Sequence, residues 1–197
     1  MKYIYLVIGV WLLSACSTTY PPYRAYELQK SADVVQKSQA CKETLRVAKV
    51  NTSPLLMRKK MYYVSGMESY SYTESEWTKR PSEFITESFL EAVAKSNAFS
   101  SVIGEASKAK NRYLLESRVE TFMQYYNEVQ TDSYAKIAVT FFLIDAGSGE
   151  IVKSMHFEKE QPCVSADAKG GVKALNALLN DASKALSEWI VTLECKA

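Results

Sequence analysis

Four cysteines and a single histidine are the residues of this chain best equipped for chemistry of their own. A thiol can be acylated, oxidised, bound to a metal or used as a nucleophile, and its surroundings decide which. Cys16 closes the sequence Leu-Ser-Ala-Cys, after Lys2 and an apolar run from Tyr3 to Leu13 that only Gly9 interrupts. The run is short for a bilayer span, which takes about 20 residues, and suits the apolar core of an export signal. Leu-Ser-Ala-Cys matches the bacterial lipobox, in which a small residue precedes an obligatory cysteine. There the thiol receives a diacylglycerol, the chain is cut ahead of it, and the new amino terminus takes a fatty acyl chain such as palmitate. Residues 1–15 are therefore expected to be a lipoprotein signal peptide and Cys16 the lipid attachment point. The alternative is an ordinary export signal with a chance cysteine.

Cys41, Cys163 and Cys195 remain. An exported lipoprotein meets an oxidising compartment, where disulfides persist. An odd number suggests one bridge and one free thiol. Cys41 lies just ahead of the first predicted strand and Cys195 just past the last predicted helix, and the two ends of one domain often lie close together. The expected bridge is Cys41–Cys195, closing a loop of about 155 residues, worth up to roughly 5 kcal/mol on the chain-entropy view. Three free thiols are the alternative.

Other chemistry finds little support. His156 sits inside a predicted strand and reads as a surface histidine. The sequence has no CxxC or HExxH and hence no recognisable metal set, and no GxSxG or Walker-type loop, so neither catalytic residue, metal nor cofactor is expected. Cys163, in Glu-Gln-Pro-Cys-Val-Ser, reads as an incidental loop thiol. The 24 Lys and Arg nearly balance the 22 Asp and Glu. With no basic stripe, nucleic acid is not an expected partner. Aromatic residues are more informative: Tyr62, Tyr63, Tyr70, Tyr72 and Trp77 crowd one stretch, and Tyr125 and Tyr126 follow later. Such side chains combine large apolar area with a polar handle and are common at interfaces. Tyr62, Tyr63, Tyr70 and Trp77 are accordingly candidates for contact with a partner or with lipid, and the domain's own core is the competing use.

The elements that must position these residues follow from periodicity. Residues 16–40 are polar, contain Pro21-Pro22, and read as an acylated cysteine with a tether, although Tyr-Arg-Ala-Tyr-Glu-Leu-Gln could pack on the domain. Residues 41–197 form one domain. Strands are expected at 44–50, 55–66 and 99–103, with Met-Glu-Ser-Tyr-Ser-Tyr-Thr-Glu a continuation or hairpin partner of the second. Pro81 opens a helix whose Ile85, Phe89, Ala92, Val93 and Ser96 share a face. Residues 111–130 form a long strand, with Tyr113, Leu115, Ser117, Val119, Thr121, Met123 and Tyr125 on one face. Leu114, Glu116, Arg118, Glu120 and Phe122 lie on the other. Two more strands flank the turn Asp-Ala-Gly-Ser-Gly-Glu. A final helix carries Val172, Leu175, Leu179, Ala182, Leu186, Trp189 and Leu193 as one apolar stripe. The class is α+β: a mixed or antiparallel sheet of about five to seven strands with two helices on one face.

Taken together, the first strand, the Pro54 turn, the apolar strand ending in Tyr62-Tyr63, then Tyr70, Trp77, Pro81 and the helix leading to Phe99 and Val102 resemble the ABC-type transport auxiliary lipoprotein family, the PqiC-like lipoproteins. Tyr-Leu-Leu-Glu-Ser-Arg-Val-Glu-Thr-Phe-Met-Gln-Tyr-Tyr and Ala-Val-Thr-Phe-Phe-Leu-Ile-Asp-Ala-Gly-Ser-Gly-Glu-Ile-Val share its layout, so the likeness runs from about Leu45 to Trp189. Cys163 departs from it. The resemblance implies a non-enzymatic partner of an MCE-domain transport system, which moves phospholipid or other hydrophobic molecules across the cell envelope of a Gram-negative bacterium. The implied partners are an MCE-domain periplasmic protein, the membrane through the acyl anchor, phospholipid, and a second copy of the chain. Ser17 after the anchor, by resemblance to sorting in enteric bacteria, favours the outer membrane. A structural or assembly lipoprotein acting in lipopolysaccharide or β-barrel insertion shares the same anchor and domain class.

Overall fold

A computed structural model describes residues 23–29, 33–38 and 41–193. Its spine is the strand β7, Tyr113–Tyr126, whose fourteen residues are the longest run of pleated backbone among the described residues. One edge pairs antiparallel with β8 (Ser133–Asp145) along its whole length, from Tyr113 beside Asp145 to Tyr126 beside Ser133. β9 (Ile151–Pro162) continues the meander beyond β8.

The other edge of β7 is built differently. Three strands lie end to end along it, all parallel to it: β2 (Cys41–Val47), β3 (Asn51–Thr52) and β4 (Lys60–Ser65). β2 is flanked in parallel by β6 (Phe99–Gly104). β4 forms a hairpin with β5 (Glu68–Trp77), which pairs in parallel with β1 (Arg24–Tyr26). The result, among the described residues, is one mixed sheet of nine strands. The strands beyond the expected five to seven include β1, of three residues, and β3, of two; both are too short to show a period-2 pattern.

Helices α1 (Pro81–Lys95) and α2 (Ala168–Val191) pack on one face. Pro81 supplies the preset φ of a first turn, and the Glu83 side chain accepts the Arg80 N–H at 3.1 Å. Asp167 caps α2 by accepting the Gly170 N–H at 2.7 Å. The stripes read from the sequence are the buried ones: Ile85, Phe89, Ala92 and Val93 on α1, and Leu175, Leu179, Ala182 and Leu186 on α2. Phe89 meets Phe141 of β8 edge-on, with ring centroids 4.9 Å apart. No helix among the described residues is long and apolar enough to cross a membrane.

Two expectations need correcting. The alternation along β7 does not run through. Val119 pairs with Val139 but Thr121 with Ala138, so Glu120 is an extra residue, a bulge, and the side-chain phase flips there. Leu115, Ser117 and Val119 are buried before the bulge, and Phe122 and Gln124 after it. Phe122, expected beside Glu116 and Arg118, therefore belongs to the core, and Thr121, Met123 and Tyr125 leave it. The described part of the segment read as a tether also lies on the domain. Leu28 is buried. The backbone N–H groups of Gln29, Val35 and Lys37 bond to Asn176, Ser187 and Ser96 at 2.6, 3.1 and 2.8 Å. This strap runs along α2 toward its C-terminal end, because it can satisfy its backbone there and bury Leu28.

Candidate functional site

Cys16 and Cys195 lie outside the described residues. Cys41 is buried and disulfide-bonded, and its N–H donates to Ala98 O at 2.9 Å. Cys163 is a half-buried free thiol. Burial pushes its pKa up, against the opposing hydrogen bond of Ser133, so it is held as the poorly nucleophilic thiol. His156 stands exposed on β9, with Nδ1 3.0 Å from Thr140 Oγ1 and Nε2 3.4 Å from Glu158 Oε2. Among the described residues no three His, Cys, Asp or Glu side chains converge to hold a metal.

The tyrosines assemble where β4, β5 and β7 meet. Tyr63 is the centre. Its ring stacks on Tyr70 at 5.6 Å, tilts against Tyr72 at 4.8 Å and meets Tyr126 edge-on at 5.0 Å. Cross-strand register explains the first contact, since Tyr63 and Tyr70 are directly opposite. Tyr126 joins because the bulge at Glu120 turns it to the helix-bearing side. Its neighbour Tyr125 faces the other way and stacks on Tyr134 at 5.2 Å. Trp77 is buried and packs edge-on to Phe84 at 6.3 Å. Tyr62 lines a small gap with Leu55, Trp77 and Leu175. Of the four aromatic candidates, only Tyr63 and Tyr70 stand together.

Beneath the rings lies a residue that sequence reasoning did not single out. Gln124 is 2 % exposed. The Tyr72 hydroxyl donates to its Oε1 at 2.9 Å, which leaves the Tyr126 hydroxyl, 2.6 Å from that of Tyr72, free to donate to Tyr72. Its amide nitrogen donates to Ser133 Oγ at 2.9 Å and to the carbonyl of Asp167 at 3.2 Å. The amide thereby links the end of β7, the start of β8, β5 and the first turn of α2, and satisfies polar groups that burial would otherwise penalise. The close approach needs Gly171: a Cβ there would stand 1.9 Å from Gln124 Oε1. The sequence did carry a signal. Phe122, after Glu116, Arg118 and Glu120 on the same face, marks a change of phase, and that change buries Gln124.

These groups are not poised for acid–base work. Burial, then the Tyr126 hydroxyl, raises the pKa of Tyr72, and burial raises that of Tyr126. Asp167 is held below the usual carboxylate range by the Gly170 N–H and the Ser165 hydroxyl. A cleft of about 270 Å³ beside them is lined by Arg24, Tyr26, Tyr72, Glu74, Asp167 and Lys169. A second cleft of about 420 Å³, more apolar, lies between Val50, Met57 and the α1 residues Ser82 and Thr86. The tyrosine end offers aromatic area with hydroxyls, the chemistry of a contact surface.

The sequence profile of the ABC-type transport auxiliary lipoprotein component matches residues 26–187. The chain belongs to this family. The match starts within β1 and ends within α2, so it takes in nearly the whole described domain. No curated protein matches the chain. Among solved structures, this family member shares its fold with protein XCC0632 from Xanthomonas campestris. The TM-score is 0.74 at 19 % identity, covering 85 % of this chain and 95 % of that one. A protein described only as uncharacterized aligns with a TM-score of 0.60 at 12 % identity, over 80 % of this chain and 99 % of that one. Identities this low speak for the fold alone. Membership in the family implies a transporter as partner and a lipoprotein's place in the cell envelope.

Proposed function

We propose that this protein is the lipid-anchored auxiliary subunit of an MCE-type ABC transport system. It contributes binding and assembly rather than catalysis while phospholipid or another hydrophobic molecule crosses the envelope. The family match over residues 26–187 carries the reading. Cys16 is the acyl anchor, in the outer membrane on the strength of Ser17, and residues 41–197 are the periplasm-facing domain. Tyr63 and Tyr70 are the contact residues retained, because they are grouped where Trp77 is buried. Cys41 pairs with Cys195. The Lys37 ammonium donates to Leu193 O at 2.6 Å, which brings the approach to Cys41 beside the last described residue ahead of Cys195.

Crosslinking in intact cells followed by affinity purification tests the role. An MCE-domain protein should be recovered. Recovery of a β-barrel without it would instead support an outer-membrane assembly role, and recovery of neither would defeat the transport reading. Cys16→Ser should move the protein from the membrane to the soluble fraction with its domain folded, since a triacylated cysteine holds firmly where a single chain does not.

A further inference from the structure

Five exposed large apolar side chains, Met67, Tyr70, Val129, Tyr134 and Val164, stand at one end of this sheet, against Ile151 and Val152 at the other. β4, β7 and β9 finish there, and β5, β8 and α2 begin there. Met67 in the β4–β5 turn is fully exposed. Val129 in the β7–β8 turn and Val164 after β9 are about three-quarters exposed, and Tyr70 is 41 % exposed. Gln130 Nε2 reaches Ser65 Oγ at 3.5 Å, so the first two turns are neighbours, and the Cys163 N–H donates to Ser133 O at 2.9 Å, which ties in the third. Hydrophobic tips on three adjacent turns cannot be explained as core, because nothing among the described residues packs over them.

The first described strand starts near this end and points away from it. β1 runs parallel to β5 with Arg24 beside Ser75, and Arg24 lines one cleft with Tyr72 and Asp167. Cys16 is only about seven residues from Tyr23, a stretch that reaches at most ~25 Å when fully extended. An acyl anchor on Cys16 thus holds this end of the sheet, and not the opposite one, close to the bilayer. The turns carry Glu68, Glu128 and Asp132 as exposed acids, which argues for headgroups of no net charge rather than anionic ones. Tyrosine with its ring in apolar surroundings and its hydroxyl in water is the residue type of the membrane interface.

We infer that this end of the sheet rests on the zwitterionic headgroup layer of the membrane that holds Cys16, with Met67, Val129 and Tyr70 at the interface. The inference depends on the anchor proposed above. The anchor supplies the affinity and the tips set the orientation, which leaves the opposite end of the domain directed away from the bilayer.

The test uses the acylated full-length protein in phosphatidylcholine vesicles that contain nitroxide-labelled lipid. Single fluorophores are placed by Met67→Cys, Val129→Cys and Val152→Cys, each combined with Cys163→Ser. Val152 is exposed near the start of β9, roughly 35 Å along the strand from its far end. Probes at 67 and 129 should shift to the blue and lose intensity to the nitroxide, and the probe at 152 should do neither. If the protein floats with vesicles but all three probes behave alike, the anchor stands and the orientation is wrong. If it does not float, anchor and orientation fail together. Blue shift of the tip probes only when a co-purified protein is present, and not in vesicles, would assign this end to a protein partner and overturn the inference.

Discussion

The two ends of the β7–β8 ladder are finished in opposite ways. At the Tyr113–Asp145 end, the chain is tied by strong local bonds. The Arg112 guanidinium and Asp145 carboxylate are 2.6 Å apart, Lys37 holds Leu193 O, and Cys41 is disulfide-bonded. At the Tyr126–Ser133 end there is one buried amide, Gln124, with a ring of phenols around it and apolar tips beyond. Covalent and ionic ties make the first end a fastening. The second end is ordered by hydrogen bonds that a few side chains share, so it can present exposed tyrosine and methionine without losing its shape.

Breaking the fastened end should have the largest effect. Cys41→Ser removes the disulfide and is expected to cost 2–5 kcal/mol, about what loss of a native disulfide costs a secreted domain. Denaturant unfolding with and without reductant measures it, and a variant indifferent to reductant but as stable as the parent would show that the bridge does little. Peptide mapping without reduction should join Cys41 to Cys195 and leave Cys163 alkylated.

Next comes the amide end. Gly171→Ala would gain about 1 kcal/mol of helix propensity but drives a methyl into Gln124, whose bonds to Tyr72, Ser133 and Asp167 must then shift. A net loss of about 2 kcal/mol is expected. Adding Gln124→Ala should make the second substitution cost less in this background than alone, and strict additivity would mean the two do not touch. Thermal unfolding of the four proteins in the cycle decides this.

Asp167 makes a smaller, pH-dependent contribution. Its folded pKa is depressed by the Gly170 N–H and the Ser165 hydroxyl, so its stabilisation is complete above the unfolded value of about 3.9. It fades as pH falls below that value and through the folded pKa. Asp167→Ala should cost about 1 kcal/mol at pH 7. Asp167→Asn should keep most of the cap and remove this residue's share of the acid sensitivity, seen as a shallower fall in melting temperature between pH 5 and about pH 3. Smallest of all, Met67→Ser should change stability by less than about 0.5 kcal/mol, as expected for an exposed tip. A larger loss would mean that the turn is structural.

Much of this molecule was legible in the sequence. The apolar stripes of both helices, the hairpin around Asp-Ala-Gly-Ser-Gly-Glu and the existence of the long strand follow from local periodicity, and the helices' burial obeys it throughout while the strand's obeys it as far as Val119. What escaped depends on distant partners. That β2, β3 and β4 share one edge of β7 is a matter of long-range pairing, with no pattern within any of the three. The bulge at Glu120 moves Phe122 and Gln124 into the interior by adding a single residue, a shift at which only Phe122, following Glu116, Arg118 and Glu120, hints until the facing strand is known. The same holds at the tyrosine end. Tyr63, Tyr70, Tyr72 and Tyr126 were visible as types, yet only the register separates them from Trp77, which packs on Phe84, and from Tyr125, which turns to the opposite face. Gln124 was hidden because a buried amide has no periodicity of its own.

The close seat of α2 on Gln124 also bears on the order in which the molecule comes apart. Gly170 and Gly171 stand together in the opening turn of a 24-residue helix, and glycine costs about 1 kcal/mol per position relative to alanine in a helix interior. That turn has little reason to form alone and is kept by Asp167 and by the amide beneath it. Helix formation then starts in the Leu175–Leu186 stretch and reaches Ala168 last. Backbone amides of residues 171–173 should therefore trade their hydrogens for deuterium well before those of residues 179–187, so that the tyrosine end loosens first while the disulfide end still holds.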